Sequence, residues 1–256
     1  MNLETPNPNK SLTLAVNQSN YMPWKGFFDL IHSVDLFLFY DEVQYTKNDW
    51  RNRNRIKTNA GVRWLTLPCG YDIHKSISDV TLNPNIDWQK AHYEKLKQYY
   101  KKAPYFHQFK DFLEDVYLDK KWKYLSELNQ YTIQYISNTI LKCNTKFQSS
   151  TDYFSHGKKQ EKLLSLLQSA KADTYISGPA AKCYMDVDVF SKNHIKVLWK
   201  SYSDYPVYPQ INGEFEHCVS ILDLIFNTGN DAPYYIWGHR DHSKSVGFHT
   251  KELPQK

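Results

Sequence analysis

Glycine is scarce in this chain, 9 of 256 residues. No G-x-x-x-x-G-K, G-x-G-x-x-G or G-x-S-x-G occurs, so P-loop, simple dinucleotide-binding and α/β-hydrolase chemistry lose their usual sequence support. Cysteine is also sparse. Cys69, Cys143, Cys183 and Cys218 are far apart and form no C-x-x-C, which argues against a disulfide frame or a zinc knot. There is no H-E-x-x-H or H-x-x-x-H, and His239 and His242 supply only two ligands, so no metal site is expected. No apolar stretch has membrane-spanning length. The opening residues MNLETPNPNKS lack the apolar core of a signal peptide. A soluble, cytoplasmic protein with no membrane insertion is expected. The net charge of +5 is mild for diffuse nucleic-acid binding, and it is concentrated in a few segments.

What the chain has in quantity is rings. Aromatics make up 16% of residues, led by 20 tyrosines. Most are expected to fill a core, and a minority to line an amphipathic pocket, because Tyr and Trp offer a flat face and a polar tip. At this length one large domain or two small ones can be built. Residues 1–11 read as a flexible arm, and 12–256 as a single α/β domain.

The pattern predicts strands at 12–17, 35–41, 63–68 and 77–82, with a helix from Pro23 through KGFFDLIHS. Residues 87–142 read as helical, with Asp87 as a cap and two apolar stripes of core type. From 158 the α/β pattern returns: a helix, a strand at 172–177, a short helix and a strand at 195–199. Ser220 is placed to cap SILDLIFNTG, with Gly229 just past its end. The tail from about 231 reads as irregular. The expected fold is α/β with a mostly parallel sheet and a helical insertion over about 85–170.

The densest chemistry lies in DEVQYTKNDWRNRNRIK, residues 41–57. Lys47, Arg51, Arg53, Arg55, Lys57 and Arg63 face a single acid, Asp49, with Gln44, Tyr45, Trp50 and Asn54 threaded among them. Guanidinium forks bind phosphate or carboxylate in a bidentate way, so this pattern suits a polar, anionic ligand. Asn17, Gln18 and Asn20 sit where the first strand ends, and Asp41 and Glu42 where the second ends. Ligands in open α/β sheets bind at such carboxyl ends. The bland readings are helix capping for the amides and surface ion pairs for the charges. Ser177, Gly178 and Lys182 follow the 172–177 strand in a Gly-Pro turn that can present backbone N–H groups to an anion. An ordinary strand–turn–helix joint explains it equally.

The stretch from AVNQSNYMPWKGFF through DEVQYTKNDWRNRNRIK to WLTLP resembles the opening of the WbqC-like family. Its members read close to H-Q-P-x-Y-x-P-W-x-G-F-F, D-x-V-Q-Y-x-K-x-x-W-x-N-R-N-x-I-K and W-L-T-V-P. YISGPAAKCYMD, YPQINGEF and SILDLIFNTG are similar too. The resemblance implies a transferase-like enzyme of bacterial surface-polysaccharide (O-antigen or capsule) or natural-product assembly. It would move an acyl or aminoacyl group onto an amino sugar, with acyl-CoA or a carrier-protein thioester as donor and no tightly bound cofactor. The partners implied are a nucleotide-linked amino sugar or other small glycan precursor and an acyl or peptidyl carrier protein. RNA binding by the basic-aromatic segment is a third reading, disfavoured by the mild net charge.

One position departs: Asn17 stands where the family has His, and an amide cannot take a proton near neutral pH. If the family's base is that His, this chain is inactive, uses another base such as Asp41, or runs a variant reaction. Asp41, Asn17 and Gln18 are the catalytic candidates, with Asp41 placed to orient or deprotonate an amine. Tyr21, Trp24, Gln44, Lys47, Trp50, Arg53, Asn54, Lys57, Ser177 and Lys182 are the ligand-binding candidates. Within that reading Arg53 and Lys57 hold an anionic group, and Trp24 or Trp50 stacks on a sugar or base. The rival is a non-catalytic binding protein for a glycan precursor or carrier protein, which Asn17 favours.

Overall fold

A computed structural model describes residues 11–70 and 72–240. The expected N-terminal arm, save its last residue, and His242 lie outside that range. Five strands form one parallel sheet: β1 (Thr13–Asn17), β2 (Leu36–Phe39), β5 (Lys146–Ser149), β6 (Thr174–Ser177) and β7 (Lys196–Trp199), in the order β5-β2-β1-β6-β7. The chain leaves the central β1 in one direction and returns to its other side at β6. This doubly wound order confirms an α/β fold and puts a switch point between β1 and β6. Crevices form there because the loops on either side diverge.

Side chains alternate across the sheet, as strand geometry requires. Ala15, Phe37, Phe39 and Ile176 face one core, shared with α1 (Lys25–His32) and α7 (Ile221–Thr228). The same core takes in α2 (Trp88–Tyr100), α3 (Lys110–Glu114) and α4 (Leu125–Tyr135). Leu14, Leu36, Leu38 and Tyr175 face a smaller core, closed by Leu166 and Leu167 of α5 (Gln160–Ser169) and Phe190 of α6 (Val187–Lys192). Each fully buried Leu or Phe in these layers contributes about 1.5–3 kcal/mol. Both faces are covered, which explains why LFLF of β2 is an unbroken apolar run.

The caps expected from sequence are present. Ser220 Oγ accepts from the Leu222 amide at 3.3 Å, and Asp87 from the Lys90 amide at 3.4 Å. Gly229 ends α7 with φ +58°.

Three expectations are corrected. Residues 53–58, where no strand is expected, form one: Arg53–Thr58 is β3, antiparallel to β4 (Gly61–Thr66), in a hairpin separate from the main sheet. The alternation of Arg with Asn is a strand period, with Asn52, Asn54 and Ile56 buried and the arginines on the outer side. Residues 77–82 are not a strand. Ile77–Asp79 makes a single 3₁₀ turn, and Thr81 and Leu82 make isolated bridges to Tyr124 and Cys69. The segment after 231 is not wholly irregular, since Tyr234–Gly238 forms one wide helical turn. All four cysteines are unpaired. Among the described residues no helix is long and apolar enough to cross a membrane, and no cluster of three metal-ligating side chains occurs.

Candidate functional site

The carboxyl ends of β1 and β2 lie side by side, because Asn17 pairs with Phe39 in parallel register. The loops that leave them are locked together. The Ser19 amide donates to Asp41 Oδ1 at 2.8 Å, and Gln130 Nε2 of α4 donates to Oδ2 at 2.7 Å. The Tyr21 amide donates to the Trp50 carbonyl at 2.9 Å, tying the β1 loop to the segment entering β3. Arg51 sits at this junction, half-buried. Its guanidinium donates to the side-chain oxygen of Gln18 and to Asn20 Oδ1, the latter at 3.2 Å, and lies 3.6 Å from Asp49. Asn129 Nδ2 holds the Arg51 carbonyl at 2.8 Å.

The polarity of this cluster follows from its bonding. Arg51 has only donors, so it turns the amide oxygens of Gln18 and Asn20 toward itself. Their NH₂ groups are left as the outward-facing ends, and no described residue accepts from either. Arg51 Nε is buried without a partner. The site is therefore rich in donors and suited to a carboxylate, a phosphate or a developing oxyanion. Beside it Asp41 is 4% exposed. Burial raises its pKa, and the Ser19 amide, Gln130 and Arg51 only partly oppose that. Burial also lowers the pKa of Arg51, against the pull of Asp49 and Asp41.

Several sequence candidates serve the fold. Asn17 Oδ1 accepts from the Gln18 amide at 2.9 Å, shaping its own loop. The Tyr21 hydroxyl is fully buried, 2.6 Å from Tyr117 and 2.9 Å from His92 Nδ1. Asn54 Nδ2 holds the carbonyls of Tyr21 and Met22 at 3.1 and 2.8 Å. Lys57 is buried and donates to the Glu214 carbonyl. Gln44 is exposed and donates to the Ile73 carbonyl at 2.9 Å, and Lys47 is exposed on the same loop. Ser177 is buried, 3.3 Å from the Tyr175 hydroxyl. Lys182 is exposed, with its ammonium 5.8 Å from the Trp199 ring.

Trp24 packs edge-on to Tyr202 and Tyr205, at 5.3 and 6.0 Å between ring centres. It lies so close over Gly26 that a Cβ there would fall 2.3 Å from the indole. Trp50 and Arg53 stay on the outer face of the β3–β4 hairpin, next to Trp64. Trp64 is not among the sequence candidates, and Arg51 is there only as one of six cations. A groove of about 680 Å³ is lined by Phe109, Phe112, Tyr135 and Leu141 and includes none of Gln18, Asn20, Asp41 or Arg51.

Lys25, at the start of α1, was also missed. It is 2% exposed, and its ammonium has no hydrogen-bond partner. The rings of Tyr205, Tyr208 and Phe215 surround it at 4.8, 5.3 and 5.9 Å. Burial brings its pKa down to about 8, with Cys218 and Asp223 opposing. The folded value lies below the ordinary 10.5, so the folded state holds fewer protons between those two pH values, and stability rises across that window. Lys25→Met is expected to be more stable than the parent at pH 7. Its advantage should shrink by on the order of 3 kcal/mol between pH 8 and 10.5. Urea denaturation of both proteins across that range checks this, and a constant difference would show that the ammonium keeps its ordinary pKa.

A model of the WbqC-like protein family matches residues 18–235. The uncharacterized protein Rv1507c of Mycobacterium tuberculosis is 44% identical over 225 residues, covering 87% of this chain and 96% of that protein. No solved structure matches.

Proposed function

The chain belongs to the WbqC-like protein family, and on that premise we propose that it is a transferase of bacterial surface-polysaccharide or related natural-product biosynthesis. It moves an acyl or aminoacyl group from a thioester donor, on coenzyme A or a carrier protein, to the amine of an amino sugar. The observation that carries this reading is the donor cluster of Gln18, Asn20 and Arg51 beside a buried carboxylate.

In the proposed step the amine attacks the thioester carbonyl carbon. The tetrahedral oxyanion is held by the amide NH₂ groups and the guanidinium. Asp41 takes the amine proton, and collapse forms the amide and expels the thiolate. A carboxylate whose pKa is raised by burial is a better base than an exposed one. This assignment does not need the imidazole that Asn17 replaces.

The rival reading, a non-catalytic binder of a glycan precursor or carrier protein, is favoured by Asn17, whose side chain is committed to its own loop. The deciding experiment incubates the protein with nucleotide-linked amino sugars and a panel of acyl and aminoacyl thioesters, and reads amide formation by mass spectrometry. Product from the parent, reduced by about 10²–10⁴ in Asp41→Asn, supports the transferase. Precursor binding without product from any pairing supports the binder.

A further inference from the structure

We infer that the outer face of the β3–β4 hairpin is a subsite for a nucleoside diphosphate. A base would stack on the Trp50–Trp64 pair, with the phosphates on Arg53 and Arg55. The inference rests on the transferase reading only in making that nucleotide the handle of the amino-sugar substrate.

Asn54 points inward to the carbonyls of Tyr21 and Met22, so Arg53 and Arg55 point outward. Trp64 pairs with Arg55 across the hairpin and stands on the same face. Trp50 joins it from the segment before β3, with ring centres 5.4 Å apart.

Two indoles in contact, 41% and 43% exposed, are an unusual use of a solvent face. Burial would stabilise them, so leaving both open needs another reason. The guanidinium carbon of Arg53 lies 4.2 Å from the centre of Trp64, and that of Arg55 lies 5.8 Å from Trp50 and 6.0 Å from Trp64. Stacking occupies the flat faces of the guanidinium groups. With the Nε atoms buried, the terminal Nη groups of both are left for anions, and they bind phosphate oxygens in pairs.

No described carboxylate forms an ion pair with Arg53 or Arg55, and the Nε atoms of both are buried without partners. The nearby acid, Asp49, is taken up by Arg51, the Thr46 hydroxyl and the Trp50 amide. Residues two apart on a strand lie about 6.8 Å apart, a separation that two flexible side chains can close onto neighbouring phosphates.

Charge and flat rings together select the occupant. A carboxylate or free phosphate would use the arginines and not the rings, and a sugar would use the rings and not the arginines. A nucleoside diphosphate uses both. The row of arginines also gives the ligand a direction. Arg51 lies in the turn two residues before Arg53, and its guanidinium touches Gln18 and Asn20. A nucleotide seated on the hairpin would therefore point its diphosphate-linked group toward the carboxyl edge of the sheet, where Asp41 lies.

Calorimetric titration of the full chain with uridine diphosphate, adenosine diphosphate, uridine and inorganic pyrophosphate tests this. No thioester donor is present, so the result stands or falls apart from group transfer. Either diphosphate nucleotide is expected to bind on the order of 10-fold tighter than pyrophosphate, reflecting one stacked base, and uridine alone to bind weakly. Trp50→Leu should remove the tenfold difference while leaving pyrophosphate binding, and Trp50→Phe should retain part of it. Arg53→Gln with Arg55→Gln should weaken pyrophosphate and nucleotide alike.

Equal affinity for pyrophosphate and nucleotide would overturn the proposal and leave only an anion site. Absence of heat from all four probes, with the parent folded by circular dichroism, would overturn it outright. Single-stranded RNA binding far more tightly than either mononucleotide, with a steep loss in salt, would overturn it in favour of a nucleic-acid surface.

Discussion

Asp29→Ala is expected to lower the stability of the fold by about 3–5 kcal/mol. Asp29 is the fifth residue of α1 and is wholly inaccessible. Its carboxylate receives Arg240 through two bonds of 2.8 and 2.6 Å, the Lys200 ammonium at 2.7 Å and the Tyr205 hydroxyl at 2.7 Å. Lys200 also reaches Ser33 Oγ at 2.7 Å.

One anion thus gathers the end of β7, the irregular segment that follows it and the last described residues onto a single helix. Removing it leaves two cations facing each other at a site where Lys200 is nearly buried, and the cost comes from that uncompensated charge. The sharper expectation concerns recovery. Adding Lys200→Met to Asp29→Ala should regain part of the loss, because one orphaned charge is removed with the other.

The pH dependence has a definite sign. Burial alone would raise the pKa of Asp29, but Arg240, Lys200 and Tyr205 outweigh it and hold the carboxyl below its ordinary 3.8. A lowered folded value means the stabilisation is present above pH 3.8 and is lost as pH falls through the folded value. The difference between parent and Asp29→Ala in urea denaturation should therefore be largest near neutrality and shrink in acid below pH 3.8. An unchanged difference at pH 3 would show that the carboxylate is not the source of the effect.

This same network explains what was and was not legible in the sequence. α1, β2, β6, α6, β7 and α7 follow from apolar periodicity, because the hydrophobic effect that selects those residues acts within each segment. Asp29 and Lys200 are 171 positions apart, and no local pattern marks either as the partner of the other. β5 escaped because KFQS is a short edge strand with one apolar residue, Phe147, turned to the core. β3 escaped for a different reason. Its alternation is carried by Arg and Asn, and the inward amides bind backbone carbonyls where a strand would ordinarily bury aliphatic side chains. ISDVTL has strand-like residues, but Ile77, Val80 and Leu82 enter the core from a turn and from isolated bridges.

The candidate site was legible as a neighbourhood and less so as a set of side chains. Parallel pairing of β1 with β2 and β6 puts the three expected loops on one edge of the sheet, as strand-end reasoning requires. Sequence cannot say which way each polar group points on those loops. Tyr21 and Asn54 turn inward and hold the hairpin to the rest of the fold, and Lys57, in phase with the arginines, is buried against the Glu214 carbonyl. Arg51 turns toward Gln18 and Asn20 and sets their orientation. No local pattern marks Arg51, because it sits in the turn before β3 and its partners Gln18 and Asn20 are more than 30 positions away.

Arg51→Gln is expected to have a large effect on the proposed chemistry. Without the guanidinium, the amide oxygens of Gln18 and Asn20 lose their shared donor, and both side chains become free to rotate. The NH₂ groups then no longer converge, and three donors are lost to the oxyanion through a single change. Loss of one well-placed oxyanion donor lowers kcat by about 10²–10³, so turnover in Arg51→Gln should fall at least that far. Arg51→Lys should not restore it, because a point charge cannot bridge two amides as a planar fork does.

A second readout separates this role from mere support of the loop. Arg51 is one of the groups that oppose the burial-driven rise of the Asp41 pKa. Removing it should push that pKa further up. A base works only when deprotonated, so the acid limb of the pH–rate profile should move to higher pH in Arg51→Gln. In Gln18→Ala, which deletes a donor but keeps the guanidinium, the limb should stay near its parental position while kcat falls. Parental turnover in Arg51→Gln would remove Arg51 from the site. Reduced turnover with an unmoved acid limb would leave Arg51 its role in positioning and take the role of base away from Asp41.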